Sequence, residues 1–300
     1  MPKKSISKKI RILSWREVAQ LFKQTVSEFA SENSLFHGAA LSYYTIFALV
    51  PILYLSIVSF GQIIGQEKML AIIATVLQEQ VGIKDIKGIL DFLNEINFHK
   101  SNFGLQLVGI LVLIVSSTAI LSSLKNSIND FYDIQKIHEN KRKLILATMI
   151  DKLIHVGLLM FFGLLIIVTY FAEIILLSFG DVLFHQLNYI HFLFDFLIQH
   201  FVPILTNFTI FFFLFKYVSD GIVNSKLAAA GALITASLLY LGQLLIKYYL
   251  THYFFARDTG IAGTLLVLLT WVYYTSQIIF FGAKFIAVYA KISGKPIKVK

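Results

Sequence analysis

Residues 261–283 read IAGTLLVLLTWVYYTSQIIFFGA, twenty-three residues without one charge. A helix rises about 1.5 Å per residue and the hydrocarbon core of a bilayer is about 30 Å thick, so about 20 mainly apolar residues cross it. A membrane β-barrel would show segments of about ten alternating residues. This run is continuous, so it predicts a spanning helix. Five more stretches have the same character, giving six predicted spans at about 38–64, 104–123, 153–177, 197–215, 227–249 and 261–283. The expected fold class is all-α, a polytopic membrane protein.

Composition agrees with this. Of 300 residues, 57% are hydrophobic and 14% charged, and mean hydropathy is +0.74. A soluble domain has about 45–50% apolar and about 25% charged residues, so a globule of this size would lack polar surface. There is no cysteine, which excludes disulfides, a thiol nucleophile and a thiolate metal site. The opening MPKKSISKKIRIL is basic but lacks an apolar run with a small-residue cleavage site. We read no cleaved signal peptide, with the first span as the insertion signal.

The charges orient the bundle. Lys and Arg number seven in residues 1–37, six in the second loop, two in the fourth and four in the tail. The other side has four in the first loop, none in the third, and Lys247 with Arg257 around the fifth. Nineteen against six places both termini and the even loops in the cytoplasm by the positive-inside rule. The same asymmetry accounts for the net charge of +9 without nucleic acid as a partner.

Three regions follow: a basic segment 1–37, a single six-helix domain 38–290, and a basic tail 291–300. In residues 14–33, Trp15, Val18, Phe22, Val26 and Phe29 recur at helical spacing beside basic residues. That predicts an amphipathic helix, lying on the cytoplasmic surface or packed under the bundle. In the external loop 65–103, Met69, Ile72, Ile73, Val76 and Leu77 repeat helically, as do Ile86, Ile89, Leu90, Leu93 and Ile96. With Gly82 as a stop, they predict two short helices on the outer face.

Polar groups in a bilayer are costly and turn inward. In the last span Gly263, Thr270, Tyr273, Tyr274, Gln277 and Lys284 share one face at 100° per residue. This stripe lines a cavity, or else it is a helix–helix contact in which small and hydroxyl residues permit close approach. Lys284, near the interface, is expected to snorkel. The first span has a polar face of Ser42, Thr45, Ser56 and Ser59, with Pro51 as an internal kink; broken transporter helices offer backbone groups to substrate in this way. Near the outer ends of spans three and five, Glu173 is expected to pair with Lys247 or Arg257, with Gln243 one turn before Lys247, or each charge reaches the interface by itself. Ala228, Ala232 and Ala236 offer a small-residue contact between copies or within the bundle.

Eight histidines form no His-x-His or His-Glu-x-x-His pattern, and no phosphate loop or nucleophile elbow appears. No catalytic residue, metal or cofactor is expected.

The quoted motifs carry a resemblance. FKQTVSEFASENSLFHGAALSYYTIFALVPIL (22–53) includes an Ala-Leu-Ser-Tyr-Tyr run, with Tyr43 and Tyr44, ahead of Pro51. LKNSINDFYDI (124–134) has Asn129, with Tyr132 where Trp is usual. FKYVSDGIVNSKLAAAGALITASLLY (215–240) has Asp220 after Ser219, which replaces a frequent Pro. DTGIAGTLLVLLTWVYYTSQIIFFGAKFIAVYAK (258–291) has Gly260, Gly263, Trp271, Tyr273, Tyr274 and Gly282. Together they make the chain similar to the YihY/BrkB family of bacterial inner-membrane proteins, from about residue 20 to 290. The resemblance implies six spans with cytoplasmic termini. It also implies Gly-Ala-Glu where this chain has Gly282-Ala283-Lys284, so an acid has become a base. An older ribonuclease label for the family finds no ligand cluster here.

Three functions are expected candidates. The first is a transporter of a lipid or other envelope component. The second is a non-catalytic scaffold that meets membrane lipids and an envelope protein through loop 65–103. An intramembrane enzyme built from separate helices ranks last.

Overall fold

The structure is a computed structural model describing residues 14–31, 33–76, 103–134, 188–252 and 260–299, with shorter pieces between 157 and 184. The main helices are α1 (Trp15–Ser31), α2 (Ser34–Ile64), α3 (Gln66–Val76), α4 (Phe103–Phe131), α5 (Asn188–Phe213), α6 (Ser225–His252) and α7 (Gly260–Ile292). A π-helical turn, Leu214–Val218, extends α5. Two short strands, β1 (Gly221–Ile222) and β2 (Lys298–Val299), pair antiparallel, Gly221 opposite Val299.

Five helices among the described residues are long and apolar enough to cross a membrane: Ser34–Ile64, Leu107–Phe131, Tyr189–Val218, Ser225–Ile246 and Leu265–Ile292. The expected span 153–177 falls mostly outside the described residues; its described pieces are helical, and an apolar helix follows at Ile175–Phe184. The helices outrun the expected spans, most of all where α5 begins at Asn188 instead of 197, α4 continues from 123 to Phe131 and α7 from 283 to Ile292. Apolar runs break at Lys125 and Lys284, but both lysines have partners within the protein. Helical geometry therefore continues past the point where hydropathy falls.

The buried core lies at one end of the bundle. Phe131, Phe215, Phe280, Leu227 and Ile286 are enclosed there. Phe131 stacks on Phe280 with ring centroids 5.3 Å apart and lies 5.8 Å from Phe29. Ala228, Ala232 and Ala236 are fully buried in the same core. These alanines therefore serve the bundle itself, and a contact between copies has to use another surface. Toward the opposite end, Leu107, Leu111 and Val115 of α4 and Leu241 and Leu245 of α6 are exposed, as lipid-facing residues are.

Helix α1 starts on a capping box: Ser14 N–H donates to Glu17 Oε2 at 2.7 Å, and Glu17 N–H to Ser14 Oγ at 3.4 Å. Of the two expected readings, the contacts bear out packing against the bundle by one face. Leu21 is buried against Phe285 and Val288 of α7, and Phe29 lies 5.6 Å from Phe281. Trp15, Phe22 and Val26 stay exposed.

Helix α3 is the first of the two expected loop helices, and its apolar face is covered. The chain turns at Gly65, whose N–H donates to Gly61 O at 3.0 Å, and α3 packs on α2 and the start of α7. Its Ile73 is buried with Ile57, Val267 and Leu268, and Met69, Leu70 and Ala74 pack on the same cluster as Trp271. An apolar face beside two apolar helices is covered by them instead of facing water. The second expected loop helix, around 86–96, lies outside the described residues.

The tail expected at 291–300 is part of the fold. Gly294 has φ +65°, and Lys295 N–H donates to Ala290 O at 2.9 Å, the closing pattern that follows a left-handed residue at a helix C-terminus. The chain then returns to pair β2 with β1.

Candidate functional site

Four charges from three elements meet at the packed end. Lys284 of α7 is 1% exposed, with its Nζ 3.2 Å from Glu28 Oε2 of α1 and 3.8 Å from Asp133 Oδ1 beyond α4. Lys291 is two turns further along the same face. Its Nζ lies 2.7 Å from Asp133 Oδ2 and 3.4 Å from Glu28 Oε2. Gln24 donates to the other Glu28 oxygen at 2.8 Å. Asp133 takes its place by a left-handed turn, φ 57°, which Asp tolerates better than most residues. The expected snorkelling of Lys284 is thus corrected. Helix α1 lies over this side chain and supplies an acid, so the ammonium ends in an ion network. A buried charge persists only when paired in this way.

Sequence reasoning missed Glu28 and Asp133. They lie 256 and 151 residues from Lys284 along the chain. The one available signal was the base at 284 itself, which calls for an acid somewhere.

Partial burial pushes the Glu28 carboxyl up. Hydrogen bonds from Gln24 and Lys284 and the charges of Lys284 and Lys291 outweigh it, so the group is held below the ordinary carboxylate range. A carboxyl depressed in the folded state contributes stability above its unfolded value, and that contribution is lost as pH falls through the folded value. We expect α1 to loosen as pH falls below the ordinary carboxylate range, and Glu28→Gln to remove that part of the acid dependence. Protease cleavage within 14–33 as a function of pH measures it; an identical profile in both proteins would contradict the assignment.

A second polar cluster joins two motif residues. Asn129 donates from Nδ2 to Asp220 Oδ2 at 2.8 Å and accepts the Asp220 N–H at 2.9 Å. Lys125 Nζ lies 2.8 Å from Asp220 Oδ1. Asn129 is buried, so α4 is tied to the turn after α5 through two bonds from one amide. Nearby, His37 Nδ1 is 2.9 Å from Ser127 Oγ and its Nε2 3.8 Å from Asp130 Oδ2.

The stripe on α7 is mostly spent on neighbouring helices. Gln277 donates to Ser34 O at 3.0 Å and packs with Tyr273 on Gly38 of α2. Tyr274 lies against Gly242 of α6, where any Cβ would collide with its hydroxyl. A Cβ at Gly282 would likewise collide with Thr235 of α6. Thr270 is exposed and bonds back to Leu266 O at 2.9 Å, while Trp271 packs with α3. Gly263 is buried and Gly260 opens α7. On α2, Ser42 and Thr45 bond back to Gly38 O and Leu41 O, both at 2.8 Å, and Tyr43 and Tyr44 are exposed. Helix α2 is continuous through Pro51, whose side chain lies outside the described residues. Glu173 is half-buried; the Lys247 side chain and Arg257 lie outside the described residues. Among the described residues, no group of three His, Asp or Glu is placed to hold a metal ion.

Long apolar helices closed at one end by ion pairs and tight helix contacts define a multi-pass α-helical membrane protein. The chain belongs to the family described as Virulence factor BrkB, which matches residues 25–298. A UPF0761 membrane protein of Aggregatibacter aphrophilus is 24% identical over 291 residues, 94% of this chain and 95% of that one. One of Mannheimia succiniciproducens is 23% identical over 259 residues, 86% of this chain and 85% of that one. One of Chromohalobacter salexigens is 22% identical over 278 residues, 90% of this chain, which spans 63% of that longer relative. No solved structure matches the chain.

Proposed function

We propose that this protein is a bacterial inner-membrane transporter of a lipid or another envelope component, and not an enzyme, with the packed end and both termini in the cytoplasm. The observation that carries this reading is a lateral apolar groove of about 420 Å³ between α5 and α6, lined by Phe201, Ile204, Leu205, Phe208, Ala229, Ala230 and Leu233. Its volume falls among small-molecule sites, about 300–1,000 Å³. It opens to the side of the bundle, where lipid is the available occupant. The nineteen-to-six charge asymmetry supports the orientation.

A second reading, a scaffold in envelope maintenance, draws on the stripe of α7, since Tyr274, Gln277 and Gly282 serve helix contacts. Loop 65–103 would then be its partner surface. Vesicles carrying the purified protein and a fluorescent phospholipid separate the two. Transport predicts movement of label between leaflets, read by quencher access, and slower movement in Leu233→Trp, whose ring occupies the groove. Movement no faster than in protein-free vesicles favours the scaffold.

A further inference from the structure

The groove has a chemically distinct end. On α5, Phe201, Ile204, Leu205 and Phe208 recur at three- and four-residue spacing and so share one face. Phe212 extends that line, stacked 6.3 Å from Phe208. On α6, Ala229, Ala230 and Leu233 form the facing stripe, with Lys226 three and four residues before the two alanines. Both apolar walls thus run toward lysines. Lys226 is exposed in the first turn of α6, about 10 Å along the axis from Leu233. Lys216, in the turn that ends α5, donates to Ser225 Oγ at 2.6 Å, which brings it beside the residue preceding Lys226.

The depth of these lysines matters. The spans Tyr189–Val218 and Ser225–Ile246 place Lys216 in the last turn of one and Lys226 in the first turn of the other. With these helices spanning the bilayer as proposed above, both lysines lie at one membrane–water boundary, where headgroups are found. Asp220, the acid of the intervening loop, is engaged by Asn129 and Lys125, which leaves the local balance cationic among the described residues. The two small side chains Ala229 and Ala230 give the groove its depth.

We propose that the α5–α6 groove holds one anionic phospholipid, with an acyl chain along Phe201–Phe208 and Ala229–Leu233 and the phosphate at Lys216 and Lys226. This rests on the lipid reading above and deepens it by naming a lipid class and a site. Charge complementarity selects the occupant: an apolar channel alone takes any acyl chain, whereas two cations at its boundary favour a negative headgroup.

Native mass spectrometry of the detergent-purified protein, offered phosphatidylglycerol and phosphatidylcholine of identical acyl chains, reads the preference directly. The wild type is expected to retain phosphatidylglycerol selectively. Lys226→Gln and Lys216→Gln each lower that selectivity about fivefold, and Ala229→Phe lowers retention of both lipids. Where Ala229→Phe fails to fold, Leu233→Trp at an exposed groove position reads the same loss. Equal retention of the two lipids by the wild type, unchanged selectivity in the double lysine variant, or a dimer that Leu233→Trp dissolves without lipid loss would each overturn the site. Selective retention without leaflet exchange would sink the transport reading and leave this site standing. Exchange with selectivity intact in the double lysine variant would do the reverse.

Discussion

Lys284→Glu is expected to disrupt the packed end, lowering stability by about 3 kcal/mol or more, the range for leaving a buried charge without its partner. The substitution sets a third carboxylate beside Glu28 and Asp133, with only Lys291 to balance them. Because Glu28 and Asp133 keep part of their hydration, the lower end of the range applies. Helix α1 should detach first, since Glu28 is its one charged contact to α7 among the described ion pairs. Glu28→Lys combined with Lys284→Glu restores the closest contact between positions 28 and 284 but sets the new acid against Asp133 and the new base against Lys291, so it should recover only part of the loss. Lys284→Met should be milder than Lys284→Glu, because Lys291 still faces both acids. Thermal unfolding in detergent ranks the variants. A double variant no more stable than Lys284→Glu alone would show that the charges act separately.

This network bears on the resemblance that puts an acid at position 284. In this chain the position belongs to a pairing between α1, α4 and α7, and its partners are acids. The sign of the charge is a property of the whole cluster. A base at 284 can serve the same structural task as an acid once the charges around it are reversed.

Sequence made the spans legible, because twenty-odd apolar residues in a row have few physical interpretations. It ended two of the helices, α4 and α7, eight and nine residues too early. Hydropathy drops at Lys125 and Lys284, but a charged side chain does not end a helix, and these two pair with carboxylates of neighbouring elements. The stripe on α7 was legible as a face, not as a function. What it touches depends on Gly38 and Gly242, small residues on other helices whose significance appears only once Gln277 and Tyr274 are packed against them. Asn129 and Asp220 were both singled out by motif, yet their separation of 91 residues gave no sign that they bond to each other. The lysine-tipped groove was equally hidden. Its two stripes are ordinary apolar helix faces until α5 and α6 lie side by side.

Asn129→Asp is expected to cost about 3 kcal/mol, as much as many substitutions that open a cavity. The amide now does two things at once: its NH₂ group donates to the Asp220 carboxylate, and its oxygen accepts the Asp220 N–H. An aspartate keeps the acceptor and loses the donor. It also sets a buried carboxylate against a second one, and Lys125 can balance only one of them. The outcome is loss of the tie between the end of α4 and the turn that leads into β1, which also holds the C-terminal strand. Asp220→Asn on top of Asn129→Asp exchanges the two side chains. The amide introduced at position 220 can donate to the carboxylate introduced at position 129, the backbone N–H keeps its acceptor, and Lys125 again faces a single acid. The double variant should regain most of the stability, measured by thermal unfolding, while Asp220→Asn alone should lose less than Asn129→Asp. Additive losses in the double variant would mean that Asn129 and Asp220 contribute through other neighbours, and that the bonded pair is not what joins α4 to the loop.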